Sequence, residues 1–506
     1  MYNKILSLEE LAHQVAVLKQ QQKSVVLCHG TFDLVHMGHI RHLQAAKREG
    51  DVLVCTITAD EYVNKGPGRP IFTESLRAEN LAALECVDYV AINYEVTAVN
   101  VLHTIKPSVY VKGSDYKVAS EDITGNINHE KQAVEQHGGR IHFTDDIVFS
   151  STRLLNEYFD VFTEETKLYL NQFKRSYSPN DVIQKIQSLK DLKVLVVGDA
   201  IIDQYYYTDI LGQTGKSNII AVKYRDKEQF AGGSIAVANH IAGFTENVTL
   251  LTLLGKTHSF EEYIRSKLSE KIQTAFFYSE DAPTTVKRRF VDSDLNKLFE
   301  VYYFEDDPLA EALDQAICDW LDAHIEEYDA VVVPDFGNGF ITQKMIDLIT
   351  KKARYLAVNT QINSGNRGYH TIHRYPVADF VSLNEPELRL AAHNRHDSLE
   401  KVASQVGEMI SPKVLAVTRG VKGLYLKDRK TEEEFSIPIL STRVVDRIGA
   451  GDAFLSLTSI CLANQFEPQL AGFIGAVAAA LDVQIVCNRE PVDPVLMFKY
   501  ITTLLK

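Results

Sequence analysis

Two doubly wound α/β domains, the second with a small β lid, are the fold class that the 506-residue sequence predicts. Three observations carry this reading. The apolar run Val25-Val26-Leu27 is followed by a glycine-bearing turn and by Ile40, Leu43 and Ala46 at helical spacing, which is strand, turn and helix in order. A fresh pattern of the same kind begins at Lys193-Val-Leu-Val-Val-Gly-Asp199. The length itself exceeds the ~100–200 residues of an ordinary domain. The expected division is residues 1–160, a helix-forming connector over 161–190 in which Gly and Pro are scarce, and residues 191–506.

The first domain is organised around residues 28–43, Cys-His-Gly-Thr-Phe-Asp-Leu-Val-His-Met-Gly-His-Ile-Arg-His-Leu. An amphipathic helix over 7–22 leads into its strand. Gly30 and Gly38 permit tight backbone where strand meets helix. His36 and His39 stand three apart at the helix start, so both rings face one way, where free amides favour an anion such as a nucleotide phosphate. Gly50-Asp51 ends this helix, and Val52–Thr58 reads as a second buried strand, so a right-handed parallel crossover follows, with the site in the crevice at the strand ends. Lys47 projects from the same helix, either toward a phosphate or as a solvated lysine. After the loop 64–70 and a helix to Leu84, strands are expected at 87–92 and 109–111. Lys112 follows the last of these into the crevice, and Ser114, Asp115 and Tyr116 come directly after it. Ser150-Ser151-Thr152 opens another helix, as a phosphate site or as a simple N-cap.

These motifs, His29-Gly30-Thr31-Phe32-Asp33, His36-x-Gly-His39, Arg69-Pro70, Val111-Lys-Gly-x-Asp-Tyr116 and Ser151-Thr152, resemble the cytidylyltransferase-like nucleotidyltransferases, which are Rossmann-like. Over residues 24 to about 160 they resemble the adenylyltransferase half of the bifunctional heptose kinase/adenylyltransferases of lipopolysaccharide synthesis. The resemblance implies that His36 and His39 stabilise triphosphate charge and that Lys112 and Thr152 contact the nucleotide. A sugar 1-phosphate oxygen would then attack the α-phosphorus and release pyrophosphate, with Mg²⁺ and with ATP or CTP as the nucleotide.

In the second domain, Asp203 follows Ile201-Ile202, and a carboxylate past a core strand suits sugar hydroxyls or caps a turn. Residues 216–224 and 227–230 alternate as exposed β-structure before Gly232-Gly233, whose missing side chains admit a small ligand close to the backbone. A strand over 284–290 carries Lys287 and Arg289. Buried strands end at Asp335, at Asn384-Glu-Pro-Glu387 and at Thr418-Arg-Gly420-Val-Lys-Gly423. The decisive stretch is Val444-Val-Asp-Arg-Ile-Gly449-Ala450-Gly451-Asp452-Ala-Phe454. Its glycines open an apolar helix whose amides form an anion hole for a transferring phosphoryl group, and Asp452 is placed to accept a proton from a sugar hydroxyl.

Gly449-Ala-Gly-Asp452 resembles the signature of the ribokinase-like carbohydrate kinases. By that resemblance Asn384 and Glu387 serve Mg²⁺ and phosphate, Thr418, Gly420 and Gly423 the nucleotide, and Asp203, Gly232 and Gly233 the sugar. Two departures from the heptose enzymes stand out. The nucleotidyltransferase comes first here, and the Asn expected after Gly-Gly is Ala236, with Asn239 nearby out of register. Residues 358–361 and 363–368 also differ from the heptose kinase loop. A β-extension of this kind often forms a lid and dimer contact in such kinases, so a homodimer or larger assembly is expected.

A net charge of −14 argues against a broad nucleic-acid surface. No apolar run reaches the ~18 residues of a membrane span, and the first residues lack a signal-peptide core. The six scattered cysteines show no metal or disulfide spacing, which fits reduced thiols in the cytoplasm. The reading is therefore an enzyme of nucleotide-sugar synthesis with both halves active. One catalytic half with a regulatory partner, or a nucleotide-sensing scaffold, are the alternatives.

Overall fold

The computed structural model describes residues 4–63, 65–66, 68–113, 126–144, 162–305 and 307–506. Ser114, Asp115, Tyr116, Ser151 and Thr152, with the helix expected after Thr152, lie outside the described residues. The chain divides into two units: Met1–Val161 with Phe498–Lys506, and Phe162–Met497.

In the first unit, α1 (Leu8–Gln20) starts at a capping box of Ser7 and Glu10 and buries Leu11, Val15 and Leu18, the spacing of one helix face. The five strands are β1 (Val25–Gly30), β2 (Val52–Thr58), β3 (Tyr89–Asn93), β4 (Val109–Gly113) and β5 (Arg140–Thr144), in the order β3-β2-β1-β4-β5. All neighbours are parallel. Successive β1 side chains enter opposite cores: Val25 and Leu27 join α1 and helices α4 (Val99–Ile105) and α5 (Asn126–Glu135), while Val26 and Cys28 join α2 (Met37–Lys47) and α3 (Glu74–Ala82). A sheet covered on both faces explains the continuous apolar strands. Strand order reverses between β1 and β4, which opens the crevice at their carboxyl ends.

The second unit is built on a nine-stranded sheet. Its strands are β6 (Lys193–Val197), β9 (Asn247–Gly255), β10 (Ile272–Ser279), β13 (Ala330–Asp335), β14 (Leu356–Thr360), β15 (Phe380–Asn384), β16 (Val414–Thr418), β17 (Leu424–Asp428) and β18 (Glu434–Ile437). Their order is β10-β9-β6-β13-β14-β15-β16-β17-β18, with only the last two strands antiparallel to their neighbours. A second, four-stranded sheet, β12-β11-β7-β8, is the lid. In it β7 (Ala200–Gln213) and β8 (Ile220–Gly233) form a long hairpin, β11 (Thr285–Val291) runs parallel to β7, and β12 (Lys297–Tyr303) closes the edge. The sequence pattern showed only fragments of this hairpin and none of β12, because lid strands are exposed on one face over much of their length and lack a continuous apolar run.

The connector reading of 161–190 is corrected. Helices Glu164–Phe173 and Pro179–Gln187 belong to the second unit, where the Phe173 ring stacks on Phe473 at 4.2 Å and Thr166 Oγ1 donates to Ile439 O at 3.3 Å. Their polar composition conceals one apolar face, Leu170, Phe173, Val182, Ile183 and Ile186. All six cysteines are free thiols, four of them buried. Among the described residues no helix is long and apolar enough to cross a membrane.

Candidate functional sites

In the first unit His36 is the N-cap of α2. Its Nδ1 accepts from the Gly38 amide at 3.1 Å, and His39 Nδ1 accepts from the His36 amide at 3.4 Å. An imidazole nitrogen that accepts cannot carry the proton, so in each neutral ring the Nε2 is the N–H. The rings lie 4.1 Å apart. Burial, followed by His36 and Lys65, pulls His39 down to about 3, and burial also lowers His36. The pair is therefore two neutral donors at the positive end of a helix, a ready binding point for an anion.

The turn before them is held from below. The fully buried Arg77 donates to Thr31 O at 2.6 Å, Thr58 O at 2.8 Å and Asp60 Oδ1 at 2.6 Å. Gly30 lets the Phe32 ring close over the strand end; a Cβ there would sit 3.2 Å from that ring. Asp33 accepts the Ile71 and Phe72 amides at 2.8 and 3.1 Å and pairs with Arg69 at 3.4 Å. This anchors the loop leading to α3. His42 continues the His36–His39 row and its Nδ1 lies 2.8 Å from Thr144 Oγ1. Sequence reasoning gave Arg77 and His42 no role, although His42 lies within the 28–43 stretch; the three-residue spacing of 36, 39 and 42 was the available signal.

Two lysines meet different fates. Lys112, at the end of β4, is buried and pairs with Glu130 at 2.9 Å, so it sits in the crevice already charge-balanced. Lys47 is corrected: it ends α2, ~15 Å along the axis from His36, and its ammonium binds Asp88 at 2.5 Å and Asp51 O at 2.6 Å. It is a structural ion pair at the wrong end of the helix.

The second unit holds a cleft of about 410 Å³. Asp203, Gly233, Lys287, Arg289, Asn384, Thr418, Gly420, Gly423, Gly449, Ala450, Gly451 and Asp452 all line it, so residues spread over 250 positions converge there. The helix Ala450–Ala463 begins at Gly449, whose φ is 103°. A Cβ at 449 would meet Asn488 Oδ1 at 2.4 Å and Asp482 Oδ2 at 2.6 Å, so only glycine fits. Burial, then Asp203, raises Asp452 to about 7, opposed by Lys287 and by Asn488. A carboxyl poised there is matched to proton transfer near neutral pH.

Arg289 forms an ion pair with Asp203 and reaches Glu300 at 2.9 Å. A Cβ on Gly232 would run into Asp203 Oδ2 at 2.1 Å, which accounts for that glycine. Lys287 is buried with its ammonium 5.4 Å from the Phe336 ring centroid. Desolvation lowers its pKa, while Asp203, Asp199 and Asp452 oppose the fall.

Asn384 and Glu387 close a capping box: each accepts the other's backbone amide at 2.8 Å. Glu387 also accepts the Ile362 amide at 3.3 Å, and burial raises it to about 7. Asn239 is corrected: Nδ2 donates to Lys267 O at 3.0 Å and Oδ1 accepts the Ser269 amide at 2.9 Å, so it staples two segments and does not line the cleft. Sequence reasoning missed Asn488 and Asp482, which follow no motif and become neighbours of Gly449 only through the fold.

The family model of pfkB carbohydrate kinases matches residues 191–491, and that of the cytidylyltransferase-like family matches 27–166. Two proteins named bifunctional protein HldE are similar in part. That of Syntrophotalea carbinolica is 39% identical over 163 residues, 31% of this chain and 32% of the relative. That of Geobacter metallireducens is 40% identical over 167 residues, 32% of each. The chain thus spans about a third of the length of these relatives. Among solved structures, Giardia lamblia ribokinase aligns at 18% identity and a TM-score of 0.50, covering 61% of this chain and 98% of that one. At that identity the likeness is one of fold.

Proposed function

Because the chain belongs to the pfkB family of carbohydrate kinases, we propose that its second unit phosphorylates a sugar or sugar phosphate with ATP. The first unit couples a sugar 1-phosphate to a nucleotide, giving an ADP- or CDP-sugar and pyrophosphate. The product class fits surface polysaccharide or lipopolysaccharide synthesis, as the likeness to the HldE proteins supports.

The observation that carries the kinase reading is Asp452 at the mouth of the Gly449–Gly451 amide ring. Asp452 takes the proton from the attacking sugar hydroxyl, while the amides of Gly449, Ala450 and Gly451 receive the charge growing on the transferring phosphoryl group. Lys287 adds a cation on the same side. Asp203, fixed by Arg289, keeps free lone pairs for sugar hydroxyls. Gly232 makes room for the Asp203 carboxylate that faces the sugar, Gly233 lines the cleft beside it, and Thr418, Gly420 and Gly423 form the floor for the nucleotide.

Phosphoryl transfer of this kind uses Mg²⁺, which supplies neutralisation of the triphosphate when bound. The buried carboxylate of Glu387, with a second lone pair on each oxygen, is a chemically fitting holder for it, together with Asn384. In the first unit the Nε2 donors of His36 and His39 hold the triphosphate, with Gly30, Thr31, Phe32 and Lys112 around the nucleotide and Ser151 and Thr152 following. The lid hairpin exposes Ile210, Leu211, Ile219 and Ile220, an apolar edge that suits a second copy of the chain.

The test is a panel of sugars, sugar phosphates and sugar 1-phosphates with ATP and CTP, reading ADP formation and pyrophosphate release separately. Absence of ADP formation from every sugar overturns the kinase assignment. Absence of pyrophosphate release overturns the nucleotidyl one.

A further inference from the structure

Residues Phe498–Lys506 fall outside both family matches, which end at 166 and 491, yet they belong to the first unit. Their place there is specific. Thr503, 7% exposed, shares its single hydroxyl proton between Lys499 O in its own helix and Lys65 O, each at 2.9 Å. The next residue, Gly66, has φ +95° and packs its Cα against the Thr503 side chain; a Cβ there would lie 2.7 Å from Thr503 Cγ2 and 2.8 Å from its Cβ. Any side chain at 66 therefore conflicts with both the backbone and Thr503.

Lys65 and Gly66 begin the loop whose far end, Arg69 to Phe72, is held by Asp33 in the turn before His36. The loop is thus tied at one end to the histidine turn and at the other to Thr503. Between these ties the Lys65 ammonium bears on the site: its charge depresses both His29 and His39. Lys65 is an exposed residue, and desolvation is nevertheless the largest influence on its ammonium. That desolvation, then the neighbouring cations Arg69 and Lys506, pulls it to about 8, with Asp33 opposing and Lys112 adding to the fall. A cation crowded by cations gains most from an arriving polyanion.

Resting on the nucleotidyl reading of this unit, we propose that Phe498–Lys506 is a working part of the phosphate site: Thr503 positions the loop so that Lys65 meets the triphosphate beside His39. Lys65 contacts the ligand, and Thr503 acts through Lys65 as a positioning residue.

The experiment uses the full chain and inorganic tripolyphosphate, which carries the phosphates without a base. The His39-dependent part of its binding, measured by calorimetry against His39→Ala, isolates this site from the kinase cleft. Thr503→Val, close in shape, should weaken that part about fivefold, the worth of one neutral hydrogen bond, and Thr503→Ser should restore it. Lys65→Ala should weaken it further, and Lys65→Ala with Thr503→Val should be no weaker than Lys65→Ala alone, because the second change then has nothing to position. Unchanged affinity in Thr503→Val, losses that multiply in the double variant, or no His39-dependent binding at all each overturn the proposal. If the coupling holds while no sugar 1-phosphate releases pyrophosphate, the positioning role stands and the nucleotidyl reading falls.

Discussion

Replacing Asp452 by Asn removes the proposed base while keeping its shape, and the structure fixes what should follow. The carboxyl is buried, and its value rises from an ordinary 3.8 to about 7. Proton acceptance requires the ionised form, so kinase turnover of the unmodified chain should fall about tenfold per pH unit below about 7. Asp452→Asn should lower turnover by ~10²–10⁴, the usual worth of a positioned general base, and should abolish that acid limb. Mg·ATP binding should persist, because the amide ring is backbone and one negative charge has left the cleft. Stability should move the other way. A carboxyl whose folded value exceeds its unfolded one favours the fold when protonated, and that benefit is lost as pH rises from about 4 to about 7. The gap corresponds to an upper bound on the order of 4 kcal/mol, so Asn should raise the melting temperature at pH 8 by a few degrees and change it less at pH 5. ADP formation with the best sugar of the panel, from pH 5.5 to 9, and thermal melts at both pH values give the measurements. Near wild-type turnover in Asp452→Asn would refute the base assignment, and an unchanged melt at pH 8 would refute the buried-charge account of its raised value.

Four further outcomes follow from the same geometry. His39→Ala should cost nucleotidyl transfer ~10²–10³, the usual loss for one preorganised donor, with kinase turnover within a few fold; retained pyrophosphate release would count against the site. Since His39 is held neutral down to about 3, pyrophosphate release should show no limb from that ring between pH 5 and 8. Gly449→Ala should abolish kinase turnover, because its Cβ would collide with Asn488 and Asp482 at a φ of 103°, and ADP formation at the wild-type rate would sink the anion-hole account. Light scattering at micromolar concentration should give a dimer or larger, and Ile210→Asp with Leu211→Asp on the exposed hairpin edge should dissociate it; a monomeric wild type would remove the lid from any role in assembly.

The contrast between Lys47 and Lys112 shows where sequence reading stops. The sequence points Lys112, at the end of a strand, into the crevice and leaves Lys47, on a helix, either a phosphate contact or a solvated lysine. The difference is which end of its element each occupies and which acid the fold brings to it: Asp88, 41 positions from Lys47, or Glu130, 18 from Lys112. Short motifs survive this problem because they sit on a single turn. Glycines 449 and 451 and Asp452 are fixed by one helix start, and His36 and His39 by another, so their relation is written in local backbone geometry. Asn239 fails for the opposite reason: it lies six positions after Gly233, on the helix that the glycine pair opens, yet that helix turns its amide toward Lys267 and Ser269. The partners that tune the motifs, Asn488 and Asp482 behind Gly449, Arg77 beneath Thr31 and Thr503 beside Lys65, are long-range in every case. Each is a polar side chain whose meaning is the group it faces, and that group is chosen by the sheet order, which no local pattern records.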